Sequence, residues 1–334
     1  MLNNYIKNVD NSYIDSRLIY LNNQQDIKKI ILNCDLEPDY ESLTLTGTMI
    51  CSDTFVYPFA AGFDLGCGLG LFLTDLNKND IKQLKLEETS PFGIRKSKYT
   101  NHSNSNNQTV IGKSIMNEYL GQVETGNHFV EIRLLNNKIC ILVHSGLPKR
   151  IKNLFAMELI DLVKKYNPNI MQSENSYEFK LNKNSFEAIN LIKAIEEANN
   201  FTRINRQYIA KKIVKSMNGK IIDYIDASHE YIKFNNENII HCHGTQEYVK
   251  KLNNYIAVVL SGSSSPNYVV KKNNDIEYIN HGTILKSINC NGERNYSSFE
   301  ELSDDNATNF RSLYKLIPLY CCKRRAKKYV YEVY

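Results

Sequence analysis

The side chains of this 334-residue chain that could do metal or nucleophile chemistry are few, and they fall in compact groups. It has seven histidines. Four lie in short motifs: Gly126-Asn127-His128-Phe129-Val130-Glu131, His144-Ser145-Gly146, Ala227-Ser228-His229 and Asn280-His281-Gly282. A fifth motif, Asp64-Leu65-Gly66-Cys67-Gly68, brings a carboxylate and a thiol close together. Carboxylate, thiolate and imidazole make a ligand set of mixed softness suited to a transition metal. The chain therefore reads as a metalloenzyme.

Each motif also has a plainer reading. Asp64 and Cys67 follow the apolar run Phe59-Ala60-Ala61-Gly62-Phe63 and fit a tight turn with a buried free cysteine. His128 and His229, each taken alone, fit a core or surface histidine. A histidine before glycine, as at His281, serves as ligand or as nucleophile, because the glycine lets a backbone or a phosphate come close. Gly262-Ser263-Ser264-Ser265 offers backbone N–H groups to a phosphate, or is an ordinary turn. In His241-Cys242-His243, strand alternation puts the imidazoles on one face and the thiol on the other, which weakens a metal triplet. The basic run from Lys323 to Lys328 fits a solvated tail or a contact for a polyanion.

These residues need elements to position them. Residues 24–33 read as a short helix with Asp26 near its positive end. The text from Ser42 to Leu73 reads as strands separated by small-residue turns, and 98–108 as a polar loop. Asn127–Leu134 and Lys138–His144 read as a hairpin. With a three-residue loop, His128 lies across from His144, with Cβ atoms ~5 Å apart. With a two-residue loop the register slips by one and the two face opposite ways. A helical block follows. Residues 151–165 form one helix and 185–217 form two helices or one bent one. Asn184 with Glu187 resembles a capping box, and Asn218-Gly219 a stop. Short strands then return at Ile221–Ile225, Tyr231–Phe234, Ile239–His243, Tyr255–Ser261 and Tyr268–Lys271. No repeat or linker divides the chain. With metal-type residues running from 64 to 281, the reading is one domain over 1–334, of α+β class, with mixed or antiparallel sheets and the helical block inserted around 151–217.

Composition sets limits. The chain is 42% hydrophobic and 23% charged, which is globular, and its net charge of +5 tolerates a polyanionic partner without demanding one. Its eight cysteines are scattered, which favours a reducing compartment over a disulfide framework. No signal peptide or membrane-spanning stretch is evident. The expectation is a soluble, cytoplasmic protein with no membrane association.

In this order the motifs resemble the RtcB family of RNA-splicing ligases. Glu37-Pro38-Asp39-Tyr40 resembles the family's Pro-Asp stretch, and Phe63–Gly68 its D-I-G-C-G. Gly126–Glu131 is close to G-G-N-H-F-x-E, and His144-Ser145-Gly146 to the start of H-S-G-S-R-G. Ala198-Asn199-Asn200-Phe201 with Asn205-Arg206-Gln207 resembles its helical A-x-x-x-A-x-x-N-R. His229 takes the place of the next ligand. Gly262-Ser263 with Tyr268-Val269-Val270 resembles G-S-M-G-T-x-S-Y, His281-Gly282 the start of H-G-A-G-R, and Pro318 with Lys323 the near-terminal Pro and Lys.

The resemblance implies a divergent, short member: an RNA ligase dependent on Mn²⁺ and GTP, joining 3′-phosphate or 2′,3′-cyclic phosphate RNA ends to 5′-hydroxyl ends in tRNA splicing or RNA repair. It implies Asp64, Cys67 and His128 around one Mn²⁺, and Cys67, His144 and His229 around a second. His281 is then the nucleophile that takes GMP. Asn127, Glu131, Ser263 and Lys323 contact the guanylate, Phe129 and Tyr296 flank the guanine, and an archease-type activator is a possible partner. The sequence departs from the pattern in its phosphate-gripping cations. Leu147-Pro148 precede Lys149 and Arg150 where an Arg is expected. His241-Cys242-His243-Gly244-Thr245 stands for H-R-K-G-A, and Thr283-Ile284-Leu285 stands where the last Arg would be, with Lys286 next. Lys does not simply replace Arg at such positions. Two alternatives stay open: a nucleotidyltransferase or metal phosphoesterase acting on RNA 3′-phosphate ends without joining, and a non-catalytic RNA-binding module.

Overall fold

The computed structural model describes residues 16–37, 39, 42–83, 119–123, 128–135, 137–166, 176–251, 254–260, 267–272, 277–281, 284–288, 294–297 and 315–326. Two sheets carry most of it. The smaller has strands β1 (Ile27–Glu37), β2 (Thr46–Ser52), β9 (Glu230–Asn235) and β10 (Asn238–His243), in the order β1-β2-β10-β9. The larger is built from β4 (Gly68–Asn77), β5 (Phe129–Leu135), β6 (Lys138–Ser145), β8 (Ile221–Ser228), β12 (Val249–Lys251), β13 (Asn254–Val259), β14 (Asn267–Lys271) and β18 (Lys315–Ala326). Its order is β12-β13-β14-β18-β5-β6-β4-β8. Short ribbons pair β3 (Phe55–Val56) with β7 (Leu181–Asn182), β11 (Thr245–Glu247) with β15 (Tyr278–Asn280), and β16 (Ile284–Ile288) with β17 (Arg294–Ser297). The described pairings are antiparallel, and the class is α+β.

Among the described residues three α-helices accompany the sheets: α1 (Ser16–Asn22), α2 (Lys149–Tyr166) and α3 (Phe186–Ser216). Their apolar spacing explains their seats. In α2, Ile151, Phe155, Leu159 and Val163 recur every four residues and are buried. They join Ala188, Leu191, Ile192, Ile195 and Ala198 of α3 in the core under the smaller sheet. The later half of α3 buries Ile209, Ala210, Ile213 and Val214 against Phe72, Ile139, Ile141 and Val143 of the larger sheet. One 31-residue helix thus spans both cores. The opposite face of the larger sheet has its own core of Leu69, Leu71, Cys140, Leu142 and Ile225, closed by Val258, Leu260 and Val269 as β13 comes back against β4 and β8.

The strands expected between Ser42 and Leu73 and after Ile221 form, and the helical block forms with 186–216 as a single helix. Residues 98–108 lie outside the described residues. Two expectations are corrected, and of the two hairpin registers left open the structure takes the second. Residues 27–37 are strand, not helix: the β-branched Ile27, Ile30 and Ile31 favour a pleated surface, and pairing with β2 prevails over the local pattern. Asp26 caps nothing there and accepts a hydrogen bond from the Tyr57 hydroxyl at 2.8 Å. The cap of α3 is Ser185, whose Oγ accepts the Ala188 N–H at 3.2 Å, not Asn184. The hairpin pairs Leu135 with Lys138, and Asn137 takes φ 65°, so Phe129, not His128, lies opposite His144. A left-handed residue in a two-residue hairpin connection suits the strand twist.

The His241-Cys242-His243 triplet serves the fold. The buried Nε2 of His241 accepts the Tyr57 N–H at 3.0 Å. His243 Nδ1 lies 3.0 Å from the Thr44 hydroxyl and its Nε2 3.2 Å from that of Thr46.

Two predictions follow the packing. Ser185→Ala is expected to cost about 1 kcal/mol in urea unfolding and Asn184→Ala much less; the reverse order would return the cap to Asn184. Burial lowers the His241 pKa to about 3, below the roughly 6.5 of an unfolded chain. The unfolded state therefore takes up this proton first. The stability it supplies is complete above about pH 6.5 and declines by about 1.4 kcal/mol per pH unit as pH falls toward 3. His241→Gln, which keeps an acceptor for Tyr57, is expected to show a shallower loss of stability on acidification. Parallel stability–pH curves for the two proteins would exclude a buried neutral imidazole.

Candidate metal centre

Antiparallel pairing sets the starts of β4 and β5 beside the ends of β6 and β8. Gly68 pairs with Ser145 on one side and Ser228 on the other, and Phe129 pairs with His144. The candidate donors are the residues at this end of the sheet. Cys67 is one residue before β4, His128 one before β5, His229 one after β8, and His144 the penultimate residue of β6. His144 shares a strand face with Cys140 and Leu142, so it points from the inner core toward the centre. His229 also links the two sheets, since β9 of the smaller sheet begins at the next residue.

The Cys67 turn is made by local geometry. Cys67 N–H donates to the Asp64 carbonyl at 2.9 Å, and Gly66 takes φ 74°. A Cβ there would meet the Thr202 methyl at 2.8 Å, so α3 packs on the bare glycine. His229 N–H donates to the Cys67 carbonyl at 2.9 Å, tying the thiol's segment to that of the histidine.

The donor atoms converge. Cys67 Sγ lies 3.1 Å from Nε2 of both His128 and His144. His144 Nε2 is 3.4 Å from His229 Nε2, and Asp64 Oδ2 is 3.1 Å from His128 Nε2. Atoms bound to one ion at roughly 2.0–2.3 Å stand about this far apart, and Cys67, His128 and His144 form a buried cluster able to hold a metal ion. The mix of thiol, acid and imidazole fits a divalent transition metal. His281 borders this set: its ring centroid is 4.7 Å from that of His229 and 6.2 Å from that of His144. The β11–β15 ribbon holds it there, with His281 N–H donating to Gly244 O and Thr245 N–H to His229 O, both at 3.1 Å.

Electrostatics matches the burial. Burial pushes the Cys67 thiol well up, and the Asp64 and Glu230 carboxylates add to it. Burial lowers His229, helped by the His281 and His144 imidazoles, so it is neutral, the form that binds metals. For Asp64, burial raises the carboxyl but His128 and Lys152 outweigh it and hold it well below the carboxylate range. Its side chain, 33% exposed, marks the open side of an otherwise buried cluster.

The structure thus brings Asp64, Cys67, His128, His144, His229 and His281 to one place. Phe129 packs its ring against His144, centroids 5.4 Å apart, and walls the cluster. Glu131, on the same face of β5, is buried and paired with Arg133, and its Oε2 accepts from Asn267 at 3.3 Å. Backbone register sets Lys323 opposite Ile132 and Tyr296 opposite Leu285. Asn127 and Ser263 lie outside the described residues. The sequence reading did not single out Lys152, whose amine donates to Asp64 Oδ1 at 2.7 Å; its position one turn into the helix after His144-Ser145-Gly146 was the available signal. Nor did it single out Arg133, which the alternation of β5 sets on the face of Glu131.

Residues 93–253 match the family model described as tRNA-splicing ligase RtcB. No curated protein matches the chain. His128, His144 and His229 lie inside the matched segment; Asp64, Cys67 and His281 lie outside it, yet the fold sets them against the same three imidazoles. The match supports an RNA-ligase-type function. Among the described residues no helix is long and apolar enough to cross a membrane. The match over 93–253 supports membership of the RtcB family.

Proposed function

We propose that the chain is a GTP- and Mn²⁺-dependent RNA ligase that joins 3′-phosphate or 2′,3′-cyclic phosphate ends to 5′-hydroxyl ends through a histidine–GMP intermediate. The observation that carries this is a fourth imidazole, His281, seated 4.7 Å from His229 at the border of a buried thiol–imidazole cluster. A purely structural metal needs no such neighbour. In this reading Asp64, Cys67 and His128 would hold one Mn²⁺, and Cys67, His144 and His229 would hold a second. Bound there, the ions would offset charge on phosphate oxygens and on the leaving pyrophosphate.

The protein's own groups do the rest. His281 attacks the α-phosphorus of GTP, the bond to pyrophosphate breaks, and GMP is held on nitrogen. The RNA 3′-phosphate takes the GMP, which makes it a good leaving group; the 5′-hydroxyl then attacks and GMP departs. A 2′,3′-cyclic end is first opened to the 3′-phosphate. Each step is an in-line phosphoryl transfer, so positioning dominates. Asn127, Glu131, Ser263 and Lys323 are assigned to the guanylate, and Phe129 and Tyr296 to the faces of the guanine. RNA with these ends is the proposed partner, with an archease-type activator a further one.

Incubation with α-labelled GTP and Mn²⁺, followed by denaturing gel electrophoresis, is expected to show labelled protein, and joined RNA once both ends are supplied. Guanylylated RNA that accumulates unjoined would replace ligation by nucleotidyl transfer; bound Mn²⁺ with no adduct would leave a binding module. His281→Ala is expected to abolish the adduct while metal content stays near normal, and loss of the metals in that variant would count against His281 as nucleophile. Cys67→Ala and His144→Ala are expected to lower metal content measured by elemental analysis; unchanged stoichiometry in both would remove the pair of metals.

A further inference from the structure

We propose that Arg206 is the positioning residue of the metal centre, a single buried guanidinium that sets the relative placement of the three segments presenting Cys67, His144 and His229. The proposal rests on the metal reading above. Arg206 is fully buried in the middle of α3. Its Nη1 donates to the Gly66 carbonyl at 3.2 Å and to the Ser145 carbonyl at 2.9 Å. Its Nη2 donates to Asp226 Oδ1 at 2.7 Å, and its Nε to the same carboxylate at 3.1 Å. Gly66 immediately precedes Cys67, Ser145 immediately follows His144, and Asp226 lies three residues before His229 on β8.

The fit is specific to this side chain. The planar fork of arginine presents donors in fixed directions, which a lysine ammonium does not. The space is specific too: a Cβ on Gly68 would lie 2.9 Å from the Arg206 guanidinium carbon. The second glycine of the Asp64–Gly68 motif thus leaves room for the arginine. The preceding residue completes the set. Asn205 Oδ1 accepts the Gly121 N–H at 2.6 Å and its Nδ2 donates to the Gln122 carbonyl at 2.8 Å, on the segment that leads to His128. A buried ion pair is a poor source of net stability compared with apolar packing, so a fold gains little from Arg206 and Asp226 as mere filling. What the pair supplies is placement, through backbone carbonyls and a carboxylate.

The test uses Co²⁺ in place of the native metal, read by its affinity and by the thiolate-to-cobalt charge-transfer absorption, neither of which needs catalysis. Arg206→Lys is expected to weaken Co²⁺ binding by about 10–100-fold, as loss of an outer-shell partner does, and to diminish or shift the thiolate band. Ile213→Ala, buried farther along the same helix, is the control for lost stability alone and is expected to leave both readouts unchanged. Wild-type affinity and an unaltered band in folded Arg206→Lys would overturn the proposal, as would an equal change in the control. If Arg206→Lys fails to fold, Asp226→Glu, which moves the carboxylate by one methylene, carries the test with the same expected shift; an unaltered band there overturns it. Wild-type protein that takes up no Co²⁺ would sink the metal reading and this proposal together, whereas wild-type uptake with indifferent variants would sink this proposal alone.

Discussion

The Cys67 sulfur lies 3.1 Å from two imidazole nitrogens in a place nearly closed to water, and the rest of the architecture is arranged around that contact. Left without a cation, such a site works against itself. Burial and the nearby Asp64 and Glu230 carboxylates keep the thiol protonated, and burial with the neighbouring His281 and His144 imidazoles discourages His229 from charging. A divalent ion reverses the balance, because a coordinated thiol deprotonates outright. The centre is therefore a place where the fold accepts an electrostatic cost that a bound ion removes, the pattern expected where residues are kept for chemistry.

Antiparallel topology makes the convergence simple to build. Strand starts and strand ends alternate along one end of the larger sheet, so residues far apart in sequence meet on one rung. Cys67, His128 and His229 lie just off their strands and escape the alternation that binds a strand residue to one face. His144 alone among these four is inside a strand, and its parity is set by the inner core row of Cys140 and Leu142. The helix α3 then crosses both cores, so its middle, around Thr202 to Arg206, is where rigid packing on either side can be transmitted to the turn, the strand ends and the approach to His128.

This arrangement explains what the sequence made legible. The convergence was readable because Asp64, Cys67, His128, His144, His229 and His281 sit in short motifs near element boundaries. The strands after Ile221 were readable from β-branched alternation, and the helical block from fourfold apolar spacing. The hairpin geometry was not. Its turn length rests on whether Leu135 belongs to the loop or to the strand, and pairing in the sheet, not local composition, decides that. His128 reaches His144 although the register denies them opposition, since it precedes the strand. The stretch 27–37 failed for a related reason: its isoleucines and lysines suit either period, and β2 supplies the partner that selects strand. Arg206 was visible as part of a motif, but its role depends on carbonyls of residues some 60 to 140 positions away in sequence.

The departures from the family pattern fall outside the donor cluster, and the structure gives some of them other work. His241 and His243, standing where the family has H-R-K, bond the smaller sheet to the turn around Tyr57 and to the hydroxyls of Thr44 and Thr46. Near the cluster, the cation on its open side is Lys152, drawn onto Asp64 from the first turns of α2. That amine shares the carboxylate with His128: Lys152 takes Oδ1 at 2.7 Å, and His128 Nε2 stands 3.1 Å from Oδ2. A positive group thus stands beside Asp64 on the partly exposed side of the cluster, a charge arrangement that favours a nearby polyanion.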